Sequence, residues 1–202
     1  MEGARFDAIK ALVEAQPYIA KVRFEHQPDE VDFDLSGFRR VYSRRYSLAE
    51  AQARWLNVSN LNLAPWLEVN PSELSKGRII VARSARYQNR RFPWRQLVRS
   101  YGQRMAFVGF ADEFNAFLRD SGGAGRVTYL PTETLKEMAA LIRGSDLFIG
   151  NQSCHCWIAM GLGHRMIQET HETIHDSIVA RESARFCTGS NSRCFAELGV
   201  PI

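Results

Sequence analysis

Residues 146–168 carry the densest set of groups able to do chemistry. An apolar run, Leu147, Phe148 and Ile149, meets Gly150, and the polar triplet Asn151, Gln152 and Ser153 follows. A short helix then closes on Gly161 and Gly163, and Met166 and Ile167 begin a second strand. This strand, polar turn, helix order presents the free N–H groups and positive dipole end of a helix at the carboxyl edge of a sheet. That arrangement suits an anion, a phosphate in particular. A second loop, from Ala82 to Asn89, carries Arg83, Ser84 and Arg86 after the strand Ile79–Val81. On a parallel sheet both loops fall at one edge. Two guanidiniums facing a helix start match a diphosphate, with charge-assisted donors on one side and backbone N–H groups on the other.

Other polar groups carry weaker signals. Glu169, with Gln168, ends the last strand at the same edge, where a carboxylate can accept from ribose hydroxyls. Cys154-His155-Cys156 has the residue types of a zinc site, but adjacent ligands at a helix start cannot all face one tetrahedral ion. No second pair has suitable spacing, so no metal is expected. His155 reads equally well as a ligand contact or a satisfied surface residue. His164, His171 and His175 read as surface, although the last two are one helical turn apart and could share a face. Trp94 reads as a core anchor, and Arg90, Arg91, Arg95 and Arg99 as an exposed helix face.

Positioning these groups requires a core. With 202 residues, 45% of them hydrophobic, the chain can bury one large domain or two small ones. Four dispersed cysteines do not make a disulfide framework, no apolar run is long enough to span a bilayer, and no leader-like start is present. A soluble, cytoplasmic protein is expected. The formal charge is +4, but nine basic residues lie between Lys76 and Arg104 with no Asp or Glu among them. The rest of the chain is therefore net acidic, and localised positive charge favours a defined anionic ligand.

From residue 76 strand and helix alternate. Strands are expected at Ile79–Val81, Met105–Val108, Val127–Leu130, Leu147–Ile149 and Met166–Ile167. Helices are expected from Pro93 to Tyr101, from Asp112 to Asp120, and after a Thr134/Glu137 capping box. Repeated β-α units imply an α/β fold, a Rossmann-like parallel sheet with flanking helices and right-handed crossovers. The first 75 residues are less regular. Helices are expected at Phe6–Glu14 and Leu48–Leu56, a strand at Lys21–Glu25, and a linker over residues 57–75. They read as an incomplete α/β segment preceding the Rossmann-like domain of residues 76–202, whose tail after Arg181 reads as irregular.

In this order the motifs resemble the C-terminal domain of heptosyltransferase-type glycosyltransferases (ADP-heptose:lipopolysaccharide heptosyltransferase-like), which have the GT-B fold. Arg83-Ser84, then Phe92-Pro93-Trp94, is similar to the family's domain start, and Phe107-Val108-Gly109 with Asp112-Glu113 to its second strand and loop. Tyr129-Leu130-Pro131-Thr132 leading to Ile142 resembles the approach to the donor site. Asp146-Leu147-Phe148-Ile149-Gly150-Asn151-Gln152-Ser153 resembles the Gly-Asn-Asp-Ser-Gly turn. Residues 76–170 carry the resemblance.

It implies a nucleotide-diphosphate-sugar donor on residues 76–202 and a carbohydrate or lipid-linked acceptor on a truncated N-terminal domain, residues 1–75. Glycosyl transfer to a hydroxyl would need no cofactor. Arg83, Ser84 and Arg86 would meet phosphate, and Gly150, Asn151, Gln152 and Ser153 would face the diphosphate or sugar. Two departures stand out: Gln152 replaces the family's Asp, and the chain starts at the family's next helix (Phe6–Lys10), so no catalytic base is assigned. A remnant domain that binds without transferring is the alternative. A nucleic-acid-binding module is a third reading, disfavoured because no RRM, KH or helix-turn-helix pattern accompanies the basic stretch.

Overall fold

The computed structural model describes residues 2–24, 31–43, 46–189, 193–196 and 199. Six parallel strands form one sheet: β1 (Ile79–Ala82), β2 (Met105–Phe107), β3 (Thr128–Tyr129), β4 (Leu147–Asn151), β5 (Met166–Glu169) and β6 (Ala184–Cys187). Their order is β3-β2-β1-β4-β5-β6. Ile79, Ile80 and Val81 pair with both β2 and β4, and Ala82 with β4, which explains why this run is apolar throughout.

Side chains alternate across the strands and divide the core in two. Ile79, Val81, Phe107, Ile149 and Ile167 face α3 (Trp94–Tyr101) and α4 (Ala111–Ser121). Ile80, Ala82, Phe148 and Met166 face α5 (Leu135–Gly144) and α6 (Cys154–Gly161). The helices lie on opposite faces because the chain winds outward from β1 in one direction and then, from β4, in the other.

Local chemistry sets the boundaries. Gly122, at φ 70°, closes α4 in a left-handed conformation. The Thr134 hydroxyl accepts from the Glu137 N–H at 3.2 Å, but the Glu137 carboxylate takes the Glu133 N–H at 2.9 Å. Half of the expected capping box therefore forms. A complete box starts the second helix of the chain, α2 (Leu48–Trp55): Ser47 accepts from the Glu50 N–H, and Glu50 accepts from the Ser47 N–H at 2.7 Å.

The N-terminal part departs from expectation. Residues 21–24 of the expected strand Lys21–Glu25 are irregular, Glu25 lies outside the described residues, and no described strand precedes β1. Instead α1 (Glu2–Val13) packs against α5, with Leu12 buried in the core beneath it. The expected linker is also bonded in. The Trp66 and Leu67 N–H groups donate to Gly161 O at 2.8 and 2.9 Å, and Ser72 N donates to Ala140 O at 2.9 Å. Residues 171–180 form turns, so His171 and His175 do not share a helix face. The tail contains β6, which pairs with β5 along its length, and α7 (Arg193–Ala196), whose Phe195 is fully buried.

Close approach at the end of α5 demands glycine. A Cβ on Gly144 would lie 2.2 Å from Ser72 O and 2.7 Å from Ser75 Oγ. Gly144→Ala is expected to destabilise by about 1–3 kcal/mol through forced separation of α5 from residues 72–75. A urea midpoint equal to the parent's would show that this contact is slack.

Candidate functional site

The loops after β1 and β4 meet where the winding reverses, since Ala82 and Gly150 are register partners. In doubly wound sheets this crevice is where ligands bind. The join is explicit. Asn151, fully buried, accepts from Ser84 N at 2.9 Å and donates to Ser84 O at 3.0 Å and to Arg86 O. It thus rivets one loop to the other. Gln152 does the same for the loop after β5, donating to Ile174 O at 2.9 Å and accepting from His171 N at 2.6 Å. Both amides are consumed in holding backbone.

Arg83 and Glu169 are brought together with each other. Glu169 has no exposed surface and accepts from Arg83 Nε at 2.9 Å, Asn89 N at 2.7 Å and Trp94 Nε1 at 2.9 Å. Arg83 Nη1 also pairs with Asp120 at 2.8 Å. The sequence reading had both facing ligand, Arg83 on phosphate and Glu169 on ribose. In the structure they form a buried pair that fixes the loop of residues 83–94. Trp94 packs edge-on against Phe117 at 5.0 Å, the core anchor expected of it.

The groups left facing outward are fewer. α6 begins without a side-chain cap, and Ser153 before it is half-buried. Cys156 N donates to Ser153 O at 3.1 Å, and no side chain caps the N–H groups before it. Ser84 is half-buried, and Arg86 is exposed with its guanidinium 5.7 Å from the centre of the Tyr87 ring. Tyr87 holds φ 54°, in the left-handed region uncommon outside glycine. Cys154, the first residue of α6, is exposed, with burial of its surroundings raising its thiol pKa.

One buried atom is unsatisfied here. His155 Nδ1 lies 3.2 Å from the Ser153 hydroxyl, whereas His155 Nε2 is sealed from solvent and has no hydrogen-bond partner. It points toward Gly109, at the end of β2, where a Cβ would lie 3.0 Å from Glu113 Oε2 and 3.8 Å from His155 Nε2. Tyr129 donates to Gly109 O at 3.0 Å. Burial lowers the His155 pKa to about 4, so the ring is neutral at physiological pH, and burial raises the Glu113 pKa. A neutral imidazole whose Nδ1 accepts from Ser153 presents Nε2–H as a donor. Buried orphan polar atoms are rare and call for a partner.

Sequence reasoning had not grouped Gly109, Glu113 and Tyr129 with His155. Gly109 and Glu113 share the connection after β2, Tyr129 ends β3 and His155 lies in α6, and only the strand order brings them together. Among the described residues no His, Cys, Asp and Glu group could hold a metal ion. The chemistry on offer is hydrogen bonding and cationic contact to an anion bearing hydroxyls.

No protein-family profile and no curated protein matches the chain. A solved structure does: glycosyl transferase family 9 from Veillonella parvula DSM 2008, TM-score 0.53 at 12% identity, over 78% of this chain and 53% of that one. The likeness establishes a shared fold. The chain spans about half the length of that protein.

Proposed function

We propose that the chain is a glycosyltransferase-like protein that binds a nucleotide-diphosphate sugar in the crevice between β1 and β4. The carrying observation is the uncapped start of α6 at the point where the winding reverses, next to the loop after β1 that carries Ser84 and Arg86. Ser84, Arg86, Ser153 and the first N–H groups of α6 contact the diphosphate, and Gly150, where a Cβ would lie 2.6 Å from Phe148 Cζ and 2.8 Å from Ala82 O, lets β4 pack against β1 beside them. Arg83, Asn151, Gln152 and Glu169 act one step back, by holding the loops that carry those contacts. The fold shared with a glycosyl transferase supports a glycosyl donor over other phosphate esters, and transfer would run to a carbohydrate or lipid-linked hydroxyl. Protein dipoles and the Arg86 cation would stabilise the leaving diphosphate.

One observation favours binding without transfer. Gln152 supplies an engaged amide at a turn position where the resembling family has a carboxylate.

Titration calorimetry with nucleoside diphosphates and their sugar conjugates tests the proposal. Saturable binding is expected, weakened about 5- to 150-fold by Arg86→Ala, as fits loss of one charge-assisted contact of about 1–3 kcal/mol. If no nucleoside diphosphate binds at millimolar concentration, the proposal fails. Binding without transfer to any hydroxyl acceptor would select the second reading.

A further inference from the structure

The basic residues of the Lys76–Arg104 run divide between two tasks. Arg83 is neutralised by Glu169 and Asp120, Arg91 by Glu172 and Arg104 by Asp146. Arg90, Arg95 and Arg99 are exposed and, with Arg126 from the loop after α4, have no carboxylate within ion-pair distance among the described residues. These four line a trough on the α3–α4 face, outside the crevice between β1 and β4. One section, about 600 Å³, runs past Gln88, Arg90, Arg95 and Gln96, and includes Asp120, whose carboxylate is paired with Arg83 at 2.8 Å. The next, about 330 Å³, is bounded by Arg95, Arg99 and Arg126 over Val98. Arg95 borders both sections.

The side chains are held in place. Arg95 Nε donates to Asp120 O at 3.1 Å, which leaves its two terminal nitrogens for a ligand. Arg126 Nη1 donates to Arg99 O at 3.4 Å. Arg95 and Arg99 sit one helical turn apart, an arrangement of like charges that disfavours the free helix. An occupant carrying negative groups at a comparable interval of about 6 Å would relieve it.

We infer that this trough binds an extended anionic saccharide, read by arginine forks along its charged groups. Phosphates, sulfates and carboxylates all suit the planar guanidinium. Nucleic acid fits less well because bases need aromatic platforms. The aromatic residues at the trough, Phe92 and Trp94, are buried, 4.7 Å apart, and Trp94 is bonded to Glu169. The surface rests on charge and shape, and its end at Gln88 and Arg90 borders the loop after β1 that also carries Ser84 and Arg86.

Fluorescence anisotropy with a labelled heparin octasaccharide, a neutral dextran oligosaccharide of equal length and a single-stranded oligonucleotide of equal charge tests the inference. The heparin fragment is expected to bind saturably and the dextran not at all. Arg95→Ala/Arg126→Ala should weaken heparin binding at least about tenfold and reduce the dependence of log affinity on log salt by about one to two. Arg86→Ala should leave it unchanged. Arg95→Lys/Arg126→Lys, which keeps charge but loses the fork, should fall between parent and alanine variant, with thermal unfolding confirming that all variants fold. Absence of heparin binding, equal binding by the alanine variant, or tighter binding of the oligonucleotide would each overturn the inference. Nucleoside-diphosphate titration of the same variants separates this surface from the crevice.

Discussion

Glu169→Ala is expected to lower unfolding free energy by about 3–5 kcal/mol, a large part of the stability of a domain this size. The carboxylate is fully buried and accepts from Arg83, Asn89 and Trp94. Its removal leaves a buried guanidinium with only the half-exposed Asp120 as counter-charge. It also strands the Trp94 N–H and the Asn89 backbone N–H, each an added desolvation cost. Replacing both members, Arg83→Met with Glu169→Met, should cost less than Glu169→Ala alone, because no charge is then left buried without a partner. Urea denaturation of the three proteins decides this. An unchanged midpoint for Glu169→Ala would mean that water replaces the carboxylate freely, and the loop of residues 83–94 would have to be anchored some other way.

Acidification is the second large expected effect. His155 and His164 are both held neutral by burial, each with a pKa lowered from 6.5 to about 4. His164 lies 3.1 Å from the Ser145 hydroxyl, with Arg143 and Arg165 further disfavouring its charged form. In the unfolded chain both rings protonate near pH 6.5. The folded protein resists that protonation, so the stabilising contribution is complete above pH 6.5 and is lost as pH falls toward 4. Shifts of this size correspond to an upper bound on the order of 3 kcal/mol per ring. Glu113, whose pKa is raised, works in the opposite direction, since its protonated form is favoured in the fold. Urea midpoints at pH 7, 5.5 and 4.5 should fall steeply, and His164→Asn should flatten the slope. A slope identical in parent and variant would show that His164 titrates normally.

The layout of the sheet was legible because each crossover announces itself locally. Apolar triplets at Ile79, Met105 and Leu147, glycine stops such as Gly122, and helical spacing of Phe114, Phe117 and Leu118 are all short-range signals. β6 escaped notice because four residues with only their ends buried carry no periodicity. Residues 21–24 of the expected strand Lys21–Glu25 alternate in sequence but are irregular in the structure, where Val22 N donates to the Glu14 carboxylate at 3.3 Å. At the site, the meeting of the Arg83 loop with the Gly150 turn followed from topology. Side-chain partnership did not. Arg83 and Glu169 are 86 positions apart, and two groups with anion- and hydroxyl-binding chemistry satisfied each other. Asn151 and Gln152 likewise look like ligand contacts in sequence, while their hydrogen bonds run to loop backbone.

The strand order also bears on how the chain is made. β1 lies at the centre, yet its second neighbour begins only at Leu147. As the polypeptide emerges from a ribosome, this apolar strand waits with one edge open while three more helices and two more strands are translated. Phe195, near the far end, closes the core over α3's side of the sheet. Until β4 has been made, the nascent chain therefore carries an open apolar strand edge, the kind of surface that favours aggregation.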